Sequence, residues 1–170
     1  MTDIKSSIED AVAYLSEHPN EARYIDSLAR ATLGGSLRVD VVGSDGARIT
    51  TDMPGAVGGR AEEPSPGWLY RAAIASCIAS TIGMEAARAG LELSSLEVEV
   101  DSESDNRGIL GIEESTPAGP ISTRIRVRAT ASQMDRAELR QVIERGTMRC
   151  PVFDATQRAV EMKLEIEEST

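Results

Sequence analysis

From Pro66 to Ala89 nearly every position is apolar or small, and Arg71, Glu85 and Arg88 are the only charges that interrupt the run. Ser65 is a good N-cap, and Pro66 suits the first helical position, where its missing N–H costs nothing. Gly90 reads as the residue that stops the helix. The pattern predicts a helix of about six turns, apolar on nearly every face and so placed at the centre of the protein.

The flanking segments carry other periods. Ile4, Ile8, Val12 and Leu15 recur at helical spacing. His18-Pro19 breaks that helix before a second short helical segment through Leu33, so residues 1–33 read as an N-terminal helical arm and 34–170 as the main domain. Gly34-Gly35 opens a β region. Leu37, Val39 and Val41 alternate with Arg38 and Asp40, Gly43-Ser44-Asp45-Gly46 supplies a turn, and Arg48 to Met53 completes a hairpin. Residues 54–64 form a loop by composition.

After Gly90 the period becomes two. Leu96, Val98 and Val100 share one face of a strand, and Glu97, Glu99, Asp101 and Glu103 share the other. Residues 105–120 read as a long loop. The next strand places Ile121, Thr123, Ile125 and Val127 against Arg124, Arg126 and Arg128 on the reverse face. The acidic and basic rows suggest a hairpin with opposite charges side by side. Ser132-Gln133-Met134-Asp135 resembles a capping box for a helix running to Gly146, a short helix follows Cys150-Pro151 to about Val160, and Met162, Leu164 and Ile166 alternate in a last strand. The fold class is α+β, with antiparallel strands wrapped around a buried helix.

Composition narrows the function. The chain has 170 residues and 41% apolar content but only 3% aromatic residues, so aliphatic side chains and methionine must build the core. A net charge of −10 argues against nucleic-acid or anionic-membrane partners, which reward clustered positive charge. Met1 to Asp10 lacks the apolar core of a secretory leader, and the run Ala72 to Met84 is too short to span a bilayer, so a cytoplasmic location is expected.

Candidate chemistry rests on two cysteines, Cys77 on the central helix and Cys150 at the start of a later one. Their separation of 73 residues excludes a Cys-x-x-Cys motif. One histidine, His18, beside a proline, reads as a surface or capping residue, and a zinc site lacks ligands. On the residues alone Cys77 is either a small hydrophobe in the core or a reactive thiol. A reactive thiol in a buried helix needs a cation nearby, and Arg38, Arg60 and Arg149 are the candidates. Arg71 falls on the opposite side of the helix.

Ser65-Pro66-x-x-Leu69-x-x-Ala72-Ala73-x-Ala75-x-Cys77 followed far downstream by Cys150-Pro151-Val152 resembles the OsmC/Ohr family, the osmotically inducible protein C and organic hydroperoxide resistance proteins. The resemblance spans roughly Gly34 to Glu167. It implies an intertwined homodimer and a thiol-dependent peroxidase that needs no metal or organic cofactor. In that scheme Cys77 attacks an organic hydroperoxide, Cys150 resolves the sulfenic acid as a disulfide, and a dithiol reductant of lipoyl or other type reopens it. An arginine stabilises the thiolate, for which Arg38 and Arg60 lie near the family positions. Catalytic members carry a glutamate after the proline matched to Pro66, where this chain has Gly67. Glu62 and Glu63 in the preceding loop are the candidates to replace it. The alternative is a dimer of the same fold that binds or senses a small ligand without peroxidase activity, using the space opened at Gly67.

Overall fold

The long apolar stretch folds as a single helix, Pro66–Arg88. Ser65 Oγ accepts the Trp68 N–H at 3.2 Å and closes the first turn. At the other end Gly90 has φ 69°, and the N–H groups of Leu91 and Gly90 return to the carbonyls of Ala86 and Ala87. This is a Schellman stop, which favours glycine because a Cβ strains that backbone region.

The computed structural model describes residues 3–132 and 135–168. Within them the order is α1 (Ile4–Glu17), β1 (Ala29–Leu33), β2 (Val39–Gly43), β3 (Arg48–Thr51), α2 (the central helix), β4 (Leu93–Glu103), α3 (Asn106–Ile109), β5 (Ser122–Ala131), α4 (Arg136–Met148) and α5 (Pro151–Gln157). Strands β1, β2 and β3 form one antiparallel sheet in that order, and β4 and β5 form a second. The expected hairpin is present as β2–β3, with Val39 opposite Thr51 and Val42 opposite Arg48.

Three helices, α1, α4 and α5, and the second sheet meet on α2. Ile74, Ile78 and Ile82, spaced at i, i+4 and i+8, are at most 2% exposed and form the core with Cys150. Burying each such side chain stabilises the fold by roughly 1.5–3 kcal/mol. The apolar row of β4 and β5 (Leu96, Val98, Val100, Ile125 and Val127) covers one side of this stripe, and Ile143 of α4 with Val152 and Phe153 of α5 covers another. Helix α4 lies unusually close. A Cβ built on Gly146 falls 2.6 Å from the Ile82 Cα, so only glycine admits this approach of the two helices.

The charged rows pair as expected. Glu97, Glu99 and Asp101 stand directly opposite Arg128, Arg126 and Arg124. Diagonal pairs from Arg126 to Asp101 and from Arg128 to Glu99 join the three rungs into one ladder on the solvent face.

Several expectations are corrected. Residues after His18 do not continue as helix: one 3-10 turn at Pro19–Glu21 leads to an extended segment and then β1, which pairs with β2. Backbone pairing along Ala29–Leu33 overrides the weak helical pattern there. His18 itself caps α1, its Nδ1 2.9 Å from the Tyr14 carbonyl oxygen and its ring stacked on Tyr14. The long loop contains the single turn α3, held by Arg107 between Asp105 and Glu113. Gln133 and Met134 of the expected capping sequence lie outside the described residues, and the cap of α4 is Asp135, which accepts the N–H groups of Ala137 and Glu138. Helix α5 ends at Gln157, short of Val160.

The alternating segment at 162–166 is not a strand in this chain. Met162, Leu164 and Ile166 are 92%, 85% and 76% exposed. The pattern of a strand is there, but a strand also needs a neighbour to complete its hydrogen bonds.

The close approach at Gly146 is testable. Gly146→Ala is expected to lower stability by about 1–3 kcal/mol through overpacking, read as a reduced urea midpoint with an unchanged m-value. A midpoint equal to that of the parent would show that the helices do not meet there.

Candidate active site

Cys77 and Cys150 are brought together. Cys77 lies three turns into α2, one turn beyond Ile74, and is partly exposed; Cys150 is the N-cap of α5 and fully buried. Cys77 packs against the buried cluster that contains Cys150, close enough for its sulfur to shift the Cys150 thiol. Both sulfurs pack on the isoleucine stripe, and both are free thiols.

The sequence folds this way for local reasons. Cys150-Pro151 places a capping side chain before a proline suited to N1, and Cys150 Sγ accepts the Phe153 N–H at 3.3 Å. Burial, and then the neighbouring Cys77 sulfur, push the Cys150 thiol above its ordinary value of 9.0, against the opposing pull of the Phe153 and Val152 N–H groups. Cys150 is therefore a protonated thiol at neutral pH, able to donate its S–H to a sulfur beside it.

A cavity of about 240 Å³ opens at the edge of this cluster, lined by Tyr70, Ile74, Ile121, Ile125, Phe153 and Gln157 among others. Two of its walls, Ile74 and Phe153, belong to the cluster around Cys150. Its lining combines an apolar wall with hydroxyl and amide groups at Tyr70, Thr123, Thr156 and Gln157.

The candidate cations lie elsewhere within this chain. Arg38, just before β2, is half-buried and pairs with Glu63 Oε1 at 3.1 Å. Of the two loop carboxylates proposed to stand in for the one missing at Gly67, Glu63 is the one that holds an arginine. Arg60 is exposed and enters the loop through its backbone N–H, 3.0 Å from Asp52 Oδ2. Arg71 reaches across to Ser102 Oγ at 3.3 Å. Arg149, although next to Cys150, turns to Glu85. The sheet that carries Arg38 makes its extensive contacts within itself and is joined to α2 through the 52–64 loop.

Asp52 organises that loop. It is 2% exposed, and its carboxylate accepts N–H groups from Met53, Arg60 and Glu62. Gly59 is pressed against the Met53 carbonyl, leaving no room for a Cβ. Burial works against the Asp52 charge, but the three N–H groups and nearby Arg38 outweigh it and hold the carboxyl below its ordinary 3.8.

One charged residue at the heart of the molecule was not singled out from the sequence. Glu85 is 6% exposed and gathers Arg88, Arg145 and Arg149. Its signal was a carboxylate at i+11 from Ile74, on the same stripe as the buried isoleucines.

The model of the OsmC-like protein family matches residues 59–165. The chain belongs to the OsmC-like family. The fold agrees with solved structures of several members. An OsmC-like protein from Mycoplasma pneumoniae superposes with a TM-score of 0.66 at 16% identity, over 81% of this chain and 91% of that one. An organic hydroperoxide resistance protein OsmC from Legionella pneumophila gives 0.58 at 20% identity, over 79% and 91%. The organic hydroperoxide resistance protein OhrB of Bacillus subtilis gives 0.52 at 20% identity, over 84% and 98%. No curated protein sequence matches the chain. Among the described residues, no helix of this OsmC-like protein is long and apolar enough to cross a membrane.

Two expectations follow from the site. With limiting iodoacetamide at pH 7.5, alkylation is expected at Cys77 with Cys150 left intact, because Cys150 is buried and its thiol is pushed up; peptide mapping that finds Cys150 modified first would contradict the geometry. Asp52, whose native carboxyl titrates below its unfolded value, contributes stability that is complete above the ordinary carboxylate range and is lost as pH falls through the lowered native value. Asp52→Asn is therefore expected to lower Tm by several degrees at pH 7, with the gap to the parent closing below pH 4. A gap that is constant from pH 7 to pH 3 would mean the charge has no such role.

Proposed function

We propose that this OsmC-like protein is a thiol peroxidase for organic hydroperoxides, with Cys77 as the attacking and Cys150 as the resolving cysteine. The observation that carries the reading is that two free thiols 73 residues apart in sequence share one cluster, Cys77 partly exposed and packed against the core that holds the fully buried Cys150. A buried, protonated thiol beside a more accessible one can donate its S–H to the Cys77 thiolate, and it gives up that proton to the departing hydroxyl when its sulfur attacks the sulfenic acid. The Cys77 thiolate attacks the terminal peroxide oxygen, the O–O bond breaks, and the alkoxide leaves with a proton as the alcohol. Cys77 is then a sulfenic acid. Attack by the Cys150 sulfur forms the S–S bond and releases the sulfenic oxygen as water. A dithiol reductant reopens the disulfide and leaves as its own cyclic disulfide. The cavity at the edge of the cluster, walled by Ile74, Ile125 and Phe153, takes the alkyl group of the hydroperoxide in this reading.

The working unit in this proposal is a homodimer. Three features support it: the exposed alternating row Met162, Leu164 and Ile166; the exposed Tyr24, Ile25, Leu28 and Leu33 around β1; and the separation of the β1–β2–β3 sheet from its own α2. A second copy would pair the C-terminal segment with a sheet edge and bury both apolar rows. The same exchange would bring an Arg38 held by Glu63 to the Cys77 of the other copy, where its guanidinium stabilises the thiolate. The location is cytoplasmic in this reading, where reduced thiols persist.

Mixing the reduced protein with cumene hydroperoxide tests the chemistry. One peroxide is expected to disappear per pair of thiols lost. Cys77→Ser is expected to abolish the reaction, and Cys150→Ser to consume a single equivalent and stop at a dimedone-reactive sulfenic acid. Unchanged peroxide with both thiols still titrating would sink the proposal.

A further inference from the structure

Glu85 is a buried carboxylate that no step of the proposed chemistry uses. A lone charge in that position would be strongly unfavourable. Here the Arg149 guanidinium contacts one carboxylate oxygen directly, and Arg88 and Arg145 approach at 3.6 Å. Such a cluster does not explain itself by stability, since an apolar group of similar shape often serves as well. What an ion pair supplies and an apolar contact does not is direction.

The direction matters because of where the partners sit. Glu85 is on α2, two turns beyond Cys77, about 12 Å along the axis. Arg149 is the C-cap of α4 and the residue immediately before Cys150. Three contacts seat the α4–α5 junction on α2: Gly146 against Ile82, Cys150 against the isoleucine stripe, and Arg149 with Arg145 on Glu85. The first two resist separation of the helices. The charged contact is the one that also resists sliding of the junction along α2. A disulfide tolerates little sliding, because its Cβ atoms must stand about 3.5–4.5 Å apart.

We propose that Glu85 is a positioning residue, holding Arg149 so that Cys150 stays in register with Cys77. This rests on the reading of Cys77 and Cys150 as a working pair. The ion pair thereby raises the effective concentration of one sulfur at the other. It touches neither sulfur nor peroxide.

The test is an equilibrium between two folded forms. Reduced protein is held in glutathione buffers of graded ratio, where oxidised glutathione closes the disulfide and leaves as two reduced molecules. The closed fraction is counted by alkylation and intact mass. Relative to the parent, Glu85→Gln and Arg149→Met are expected to lower the closure constant at least about tenfold, and Arg149→Lys to recover most of it. A merely structural role would move Tm and leave this constant alone. Arg149 is half-exposed, so Arg149→Met carries the test if Glu85→Gln does not fold. Folded Arg149→Met with the parent's constant would overturn the positioning role while leaving the peroxidase reading intact. A parent that closes no disulfide in any buffer would remove both.

Discussion

The packing of one aliphatic stripe on α2 is the constraint from which the rest of the molecule follows. Ile74, Ile78 and Ile82 must leave water, and three surfaces are recruited to cover them: the β4–β5 sheet, helix α4 and the junction with α5. Covering them is also what delivers Cys150 to Cys77. The thiol pair is thus a by-product of core formation, held by the same burial that stabilises the fold. Gly146 makes the fit possible, since any side chain there would hold α4 away from Ile82.

Charge then refines what apolar burial leaves undetermined. Apolar contact is indifferent to direction along a helix, whereas an ion pair or a hydrogen bond has a fixed geometry. Glu85 with its arginines, Asp52 with its three loop N–H groups and Arg38 with Glu63 each fix a segment that the core alone would leave free to shift. The ladder of Glu97, Glu99 and Asp101 against three arginines does the same for the register of the outer hairpin at a solvent face. In a chain with net charge −10, the arginines are spent on internal order at these places.

The single chain is also visibly incomplete as a set of strands. Its C-terminal segment has the alternation of a strand and lies exposed, and the sheet bearing Arg38 stands apart from the helix bearing Cys77. Sequence periodicity reports which faces want burial, not which molecule buries them. Residues 162–166 therefore read as a strand although no described strand of this chain pairs with them, and Arg38, taken as a neighbour of Cys77 from the family resemblance, pairs with Glu63 instead. Residues 22–33 failed differently: a few apolar positions suggested a helix, and pairing of Ala29–Leu33 with β2 decided otherwise.

The sequence by itself determined the central helix with both of its caps, the β2–β3 turn, the charged faces of β4 and β5, the two cysteines and the family. These are local signals: a cap, a glycine at positive φ, a period of two or of 3.6. Tertiary structure alone decided that Cys150 joins the cluster against which Cys77 packs, that Arg149 turns to Glu85, and that Glu63 rather than Glu62 takes Arg38. Each of those is a choice among partners distant in sequence, set by which side chains the packing of α2 brings within a few ångströms. A one-dimensional pattern carries the demand for a partner. Only the folded chain carries its identity.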